Sequence, residues 1–111
     1  MDTELLKGTL SLLILSLLGR KEMYGYEIVK TVKEATGGAL EWKEGSLYPN
    51  LHKLEREGLI VGSWHAEQGQ RRRRYYALTA AGRRVLAGEL ASWRQLSKAV
   101  EQVLKAEVQH E

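Results

Sequence analysis

The sequence predicts a mainly α-helical fold that contains one small β-hairpin. Three observations lead to this prediction. Apolar residues recur at helical spacing in four segments, two β-rich segments flank a turn that contains glycine, and the single proline falls near the start of one helical segment. A length of 111 residues and a hydrophobic content of 43% suit one globular domain, or one small domain with an extension.

The first two helices are predicted at residues 5–18 and 24–36. The first carries apolar residues around nearly its whole circumference, which is typical of a helix buried on more than one side. One side would face the core of its own domain, and the other would face a second subunit. The residues of the first helix that are predicted to face the second subunit are Leu10, Leu13 and Leu17.

In the second helix, Gly25 indicates a close backbone approach near the start.

The third helix is predicted within residues 44–58, after a connector at residues 39–43 that has room for a brief strand. Its buried stripe consists of Leu47, Leu51 and Leu54. A proline is tolerated only in the first turn of a helix, so Pro49 requires a start between residues 44 and 46. Ser46 is the predicted cap, and Gly58 is the predicted stop.

A β-hairpin is predicted next, with strands at residues 59–65 and 72–78 and a turn that contains Gly69. The four arginines and one glutamate between residues 59 and 76 carry the whole net charge of +3. Elsewhere, thirteen basic and thirteen acidic residues cancel. A charge excess confined to one short segment is typical of an element that binds phosphate.

Three helices followed by a basic hairpin correspond to the winged helix-turn-helix plan. In that plan the third helix enters the major groove, and the hairpin, or wing, contacts the DNA backbone or the minor groove. The alternative for the helix is that its outer face is simply solvated. The alternative for the arginine run is a solvated turn or a targeting signal. The candidate DNA contacts are Ser46, Tyr48, Pro49, Asn50, His52, Lys53 and Arg56 on the helix, and Arg71, Arg72, Arg73 and Arg74 on the wing.

A long final helix is predicted from residue 80 to about residue 107, with Thr79 as its cap and Gly82 packed tightly at its start. Its apolar stripe comes close to a heptad seam, interrupted at Ser97, and indicates a dimerisation arm. The alternative is that the helix packs back on its own domain. Residues 1–78 would then form the DNA-binding domain and 79–111 the dimerisation helix. The interface residues predicted on this helix are Leu86, Leu90, Trp93, Val100 and Leu104.

Catalysis, a metal site and a cofactor are not expected. The three histidines fall on three different elements, and the chain contains no cysteine, no glycine-rich phosphate loop and no paired carboxylates that share a cleft. The longest apolar run, residues 10–18, is too short to span a bilayer, and the first residues are acidic, unlike a secretory signal. A cytoplasmic protein without a membrane partner is therefore expected.

Five sequence blocks, in this order, resemble the PadR family of bacterial transcriptional regulators: LKGTLSLLIL, YGYEI, EGSLYPNLHKLEREGLI, RRRRYYALTAAG and the tryptophan of ASW. The resemblance covers about residues 5–93 and is closest to the short members with one C-terminal helix. It implies a homodimeric repressor whose first and last helices form the interface. Such a repressor would bind a palindromic double-stranded DNA operator and release it on binding a small-molecule effector.

In multidrug-sensing members of this family, a tryptophan on the last helix pairs across the dimer axis and sandwiches flat aromatic ligands. Trp93 matches that tryptophan by position, and Ser97 leaves polar room beside it, so these two are the candidate effector contacts. The simpler interpretation is that Trp93 is a packing residue. The family's usual T-x-[DE]-G cap here lacks its acid. A competing function is a small-molecule or protein-interaction module that keeps the fold without binding an operator.

Overall fold

The computed structural model of the protein describes residues 8–66, 68–69 and 71–109. Its three strands form one antiparallel sheet in the order β1–β3–β2. The predicted winged helix-turn-helix with a long C-terminal helix is confirmed. Within the described residues the elements are α1 (Leu10–Leu18), β1 (Met23–Tyr24), α2 (Gly25–Ala35), α3 (Glu44–Arg56), β2 (Ile60–His65), β3 (Arg73–Leu78) and α4 (Ala80–Gln109).

The hydrophobic core lies where the first three helices meet the sheet. The predicted stripe of α3 is confirmed, because Leu47, Leu51 and Leu54 are all buried. Ile28 of α2 and Tyr76 of β3 are buried in the same cluster. Each fully buried aliphatic side chain contributes about 1.5–3 kcal/mol relative to exposure. The leucine stripe therefore fixes which face of α3 is turned outward.

Helix α1 begins at Leu10 in the described part of the chain, after a turn at residues 8–9, and ends at the predicted Leu18, with Gly19 as its C-cap. Residues 5–7 of the predicted helix lie outside the described residues. Leu17 is buried within the core of its own chain, so its side chain has little surface left for a second subunit. Leu10 and Leu13 are only partly buried against that core.

The sheet contains a strand that the sequence did not indicate. Strand β1 pairs with β3, with Met23 opposite Tyr76 and Tyr24 opposite Tyr75. The strand considered at residues 39–43 was wrong, because this connector has no strand residue. The apolar character of the connector has another cause, since Trp42 is buried in the core. A two-residue strand is too short to produce a periodic signal.

Helix α3 begins at Glu44, inside the predicted window, but Ser46 as its cap was wrong. The cap is Lys43, whose carbonyl accepts from the amide of Ser46 at 2.9 Å. Pro49 is the sixth helical residue, beyond the first turn. The carbonyl that loses its hydrogen bond to Pro49 belongs to Gly45, which is exposed, so water can satisfy it.

The predicted stop at Gly58 is confirmed. Gly58 has φ +76°, and the amide of Leu59 donates to the carbonyl of Leu54 at 3.0 Å. These are the features of a Schellman motif, in which a left-handed residue ends the helix and satisfies its last carbonyls. The chain therefore leaves α3 directly into the wing.

Helix α4 is attached at its first turn to the junction between α3 and the wing. Thr79 Oγ1 accepts from the amide of Gly82 at 3.0 Å, which confirms the predicted cap, and donates to the carbonyl of Gly58 at 2.7 Å. Gly82 is buried, and a Cβ there would overlap the backbone of Leu59. This contact confirms the tight packing predicted at Gly82.

Only the beginning of α4 packs on its own domain. Val85 and Leu86 contact the core, whereas five large apolar residues further along are 46–65% exposed. Thirty helical residues span about 45 Å, so α4 extends well beyond the winged domain. The alternative, that the helix packs back on its own domain, therefore holds only for the beginning of α4 in the described residues. The five exposed residues are Trp93, Leu96, Val100, Val103 and Leu104.

None of the helices in the described parts of the chain is long and apolar enough to cross a membrane.

Candidate nucleic-acid interface

The outer face of α3 carries the candidate DNA contacts that the sequence predicts for this helix. It is turned away from the leucine stripe, and most of its predicted contact residues are exposed. Asn50 is half-buried, and its Nδ2 donates back to the carbonyl of Ser46 at 3.0 Å. The exposed residues of this face are Ser46, Tyr48, Pro49, His52, Lys53 and Arg56.

Tyr48 has a second role, because its ring packs over the start of α2. A Cβ on Gly25 would lie only 2.6 Å from Tyr48 Oη, so the close approach predicted at Gly25 is confirmed. Burial, reinforced by the nearby Glu44 carboxylate, raises the pKa of Tyr48 above its usual value. The hydroxyl lies at the contact between α2 and α3.

The four consecutive arginines of the wing have different surroundings. Arg71 and Arg72 precede β3, whereas Arg73 and Arg74 lie in the strand, where successive side chains point to opposite faces. The guanidinium of Arg72 lies 5.3 Å from the ring centroid of Trp64. That of Arg73 lies 4.5 Å from the ring centroid of Tyr24. Both faces of the wing therefore carry positive charge.

Arg74 is engaged within the protein. Its Nη2 lies 2.6 Å from Oε2 of Glu55 on α3, and the hydrogen bond to this carboxylate raises the arginine pKa further. The same Oε2 accepts from the backbone amide of Gly62 in β2 at 3.0 Å. The sequence predicts a DNA contact for Arg74 as for the other three arginines, but only Arg71, Arg72 and Arg73 are exposed.

A cleft of about 670 Å³ separates α3 from the wing. Tyr48 and His52 line its helix side, and Trp64 and Arg72 line its wing side. Basic and aromatic side chains thus face the predicted base-reading helix across a groove. Such a cleft suits a polyanion that contacts both elements at once.

Two residues of this cleft region were missed by the sequence analysis. Trp64 is 55% exposed on the wing, in register with Arg74. Its signal in the sequence was an aromatic residue in a strand close to an arginine run, a pattern that also fits ordinary sheet packing. Glu55 had no signal, since an acid near the end of an amphipathic helix is usually solvated.

The predicted effector and interface residues on α4 form one surface only in part. Trp93 is exposed and Ser97 is half-buried, one helical turn apart. Leu86 packs against the core of its own chain, and Leu90 is half-buried. Val103 is not among the predicted interface residues, but it continues the exposed stripe three residues after Val100. An i, i+4, i+7 count from Leu96 reaches Val100 and then Val103.

No group of three or more histidine, cysteine or acidic residues that could hold a metal ion occurs in the part of the chain that the structure describes.

Three comparisons place this arrangement among known proteins. The family model described as "Transcriptional regulator PadR-like family" matches residues 14–88. The negative transcriptional regulator PadR of Bacillus subtilis is 34% identical over 80 residues, which cover 72% of this chain and 42% of that protein. This chain thus spans less than half the length of the Bacillus subtilis relative.

Two solved structures share the fold. A transcriptional regulator from Clostridium thermocellum superposes with a TM-score of 0.84 at 29% identity, covering 92% of this chain and 96% of that one. Bacillus subtilis PadR in complex with operator DNA superposes with a TM-score of 0.67 at 33% identity, covering 74% of this chain and 46% of that one. The family and the fold are those of transcriptional regulators and not of enzymes. The chain belongs to the PadR-like family of transcriptional regulators.

Proposed function

We propose that this protein is a DNA-binding transcriptional repressor that binds a palindromic operator as a homodimer. The observation that carries the proposal is the cleft between α3 and the wing, which the arginines of the wing line on one side and Glu44, Tyr48 and His52 of α3 line on the other. The structural likeness to a PadR protein solved with operator DNA supports it. Because operator DNA lies in the bacterial cytoplasm, we place the protein there.

In this proposal α3 reads bases in the major groove. Its exposed Ser46, His52 and Lys53 can donate to base edges, and Arg56 near the helix end suits a phosphate. The wing supplies sequence-independent contacts to the backbone through its exposed arginines. Recognition of sequence and recognition of charge would thus reside on two elements that share one cleft.

The proposed dimer uses the exposed stripe of α4. Five large apolar side chains at 46–65% exposure are unusual on a monomer surface, and their helical spacing suits a second copy of the same helix. Leu10 and Leu13 of α1, which are only partly buried against the core, would extend the interface.

The proposed effector is a flat aromatic molecule held between the two copies of Trp93 in the dimer. The indole is half-exposed in one chain, and Ser97 one turn further offers a hydroxyl. Aromatic pairs favour offset stacking, so a planar ligand fits between two indoles. Its binding would release the operator.

A footprint on the DNA that surrounds the protein's own gene tests the proposed function. We expect two protected half-sites whose centres lie about 34 Å apart, one turn of the double helix, as two-fold symmetry requires. Protection of a single half-site by a monomer would contradict the dimeric part of the proposal. Binding that does not distinguish any fragment from random DNA would contradict the regulatory part.

A further inference from the structure

We propose that Glu55 and Arg74 are positioning residues that hold the wing at a fixed angle to α3. In this inference, which rests on the proposed DNA-binding function, Arg74 acts through geometry and does not bind phosphate. The pair joins three elements, because Glu55 lies in the last turn of α3, its amide partner Gly62 lies in β2, and Arg74 lies in β3.

The contacts of Glu55 and Arg74 are tightly packed. One carboxylate oxygen of Glu55 accepts from Arg74 Nη2 at 2.6 Å and from the Gly62 amide at 3.0 Å. A Cβ on Gly62 would lie 2.7 Å from the guanidinium carbon of Arg74, so a larger residue there would displace the guanidinium from its position beside Glu55. Arg74 also contacts the ring of Tyr76, which is buried in the core. Both charged side chains are about 30% exposed, at 32% for Arg74 and 27% for Glu55.

The wing needs such a contact because its outer half is weakly held on the side of α3. Strand β2 is an edge strand, and its residues from Ser63 to His65 are exposed. A two-stranded hairpin that leaves the core is only marginally stable by itself. The carboxylate of Glu55 covers an amide on the open edge of β2 and ties it to the recognition helix. Trp64 and Arg72 line the DNA-facing cleft just beyond this tie, and Arg74 itself lines the same cleft.

Positioning and simple electrostatics predict opposite effects for Glu55→Gln. Removing an acid beside a DNA-binding surface should strengthen binding to any DNA, because the net positive charge rises. If the pair positions the wing, the variant should instead weaken operator binding by about 10-fold, roughly the loss of one base contact. Binding to random DNA should stay equal or become tighter, so the ratio of operator to random affinity falls.

Glu57→Gln is the matched control for Glu55→Gln. Glu57 is exposed two residues further along, and within the described residues its side chain has no hydrogen bond or ion pair. The charge change is the same, so we expect operator binding by this variant to be equal to or tighter than wild type. If Glu55→Gln behaves like Glu57→Gln, the positioning role is overturned.

Arg74→Gln separates positioning from phosphate contact. A lost phosphate contact would reduce the slope of log K against log salt by about 0.9. We expect Arg74→Gln to weaken operator binding as much as Glu55→Gln does, with an unchanged slope, and the double variant to be no weaker than either. A reduced salt slope for Arg74→Gln, together with unimpaired operator binding by Glu55→Gln, would show that Arg74 contacts phosphate and overturn its positioning role.

A measurement without DNA keeps the test independent of the proposed function. In amide hydrogen exchange, Glu55→Gln should speed exchange at Gly62 and the outer wing by about 10-fold relative to Glu57→Gln, while buried amides of α3 stay protected. Unchanged wing exchange would overturn the positioning role even if the operator is bound. Faster wing exchange, in a protein whose wild type binds no operator, would reject the proposed function alone.

Discussion

At the scale of single residues, the arginine run divides into side chains with different tasks. Arg72 is exposed beside Trp64 at the cleft between α3 and the wing, and Arg74 is paired with Glu55. Both guanidinium groups lie over the ring of Trp64, at 5.3 Å and 5.7 Å from its centroid, so they share one face of the wing and differ in that Arg74 is paired with a residue of α3. Composition located the charge excess, but only the three-dimensional arrangement shows which guanidinium groups face solvent.

Arg72→Ala should therefore reduce the salt dependence of DNA binding. Each phosphate contact releases condensed counterions, so the slope of log K against log salt should flatten by about 0.9. Operator and random DNA should weaken alike, because a backbone contact carries no base information. Affinities measured at several salt concentrations check this. An unchanged slope would show that Arg72 does not contact phosphate.

At the scale of elements, the sequence predicted those features that a repeated local pattern specifies. The leucine stripe of α3, the Gly58 stop, the Thr79 cap and the hairpin all follow from periodicity or from one residue's backbone preference. Ser46 failed as a cap because a good capping residue can lie within the first turn while Lys43 takes the cap position. The Glu55–Arg74 pair was not predictable, since it joins residues nineteen positions apart through the tertiary fold.

The start of α4 provides a test of element packing. Gly82→Ala would place a Cβ into the backbone of Leu59, so the helix must shift, at a cost of about 1–3 kcal/mol as in other overpacked sites. Gly88→Ala, in the same helix with open space around it, should stabilise the protein by up to about 1 kcal/mol. Urea unfolding of both variants measures the difference. Equal stabilities would mean that α4 is not packed tightly against Leu59.

At the scale of the whole molecule, α4 carries an apolar surface that one chain does not cover. Val100 lies in the middle of this stripe and is half-exposed. Val100→Lys would place an unpaired charge inside the proposed dimer interface, which is severely unfavourable when buried. We expect a monomer in sedimentation velocity at micromolar concentration, with operator binding lost.

The control for Val100→Lys is Gln102→Lys. Gln102 is exposed on the opposite side of α4, so the same added charge should leave the dimer and operator binding intact. A wild-type protein that sediments as a monomer, or a Val100→Lys variant that remains dimeric, would exclude this stripe as the interface.

The proposed effector site depends on the dimer and on a difference between two states. A planar aromatic ligand between two Trp93 indoles gains about 0.5–1.5 kcal/mol per ring pair from stacking beyond its buried area. It releases the operator only if it binds better to a dimer geometry that misplaces the two α3 helices, because equal affinity for both geometries shifts nothing. Planar cationic or phenolic aromatics should therefore quench Trp93 fluorescence and weaken operator binding over the same concentration range.

Trp93→Ala identifies the sensor. The indole is half-exposed and lies about two helical turns beyond Leu86, the last residue of α4 that packs on the core, so its removal should keep operator affinity within a few-fold while the response to the ligand disappears. Trp64 and the buried Trp42 remain fluorescent in this variant. If the ligand quenches the wild type but not the variant, the ligand lies at Trp93. A variant whose operator binding still responds to the ligand would place the sensor elsewhere and leave Trp93 as a packing residue of the dimer.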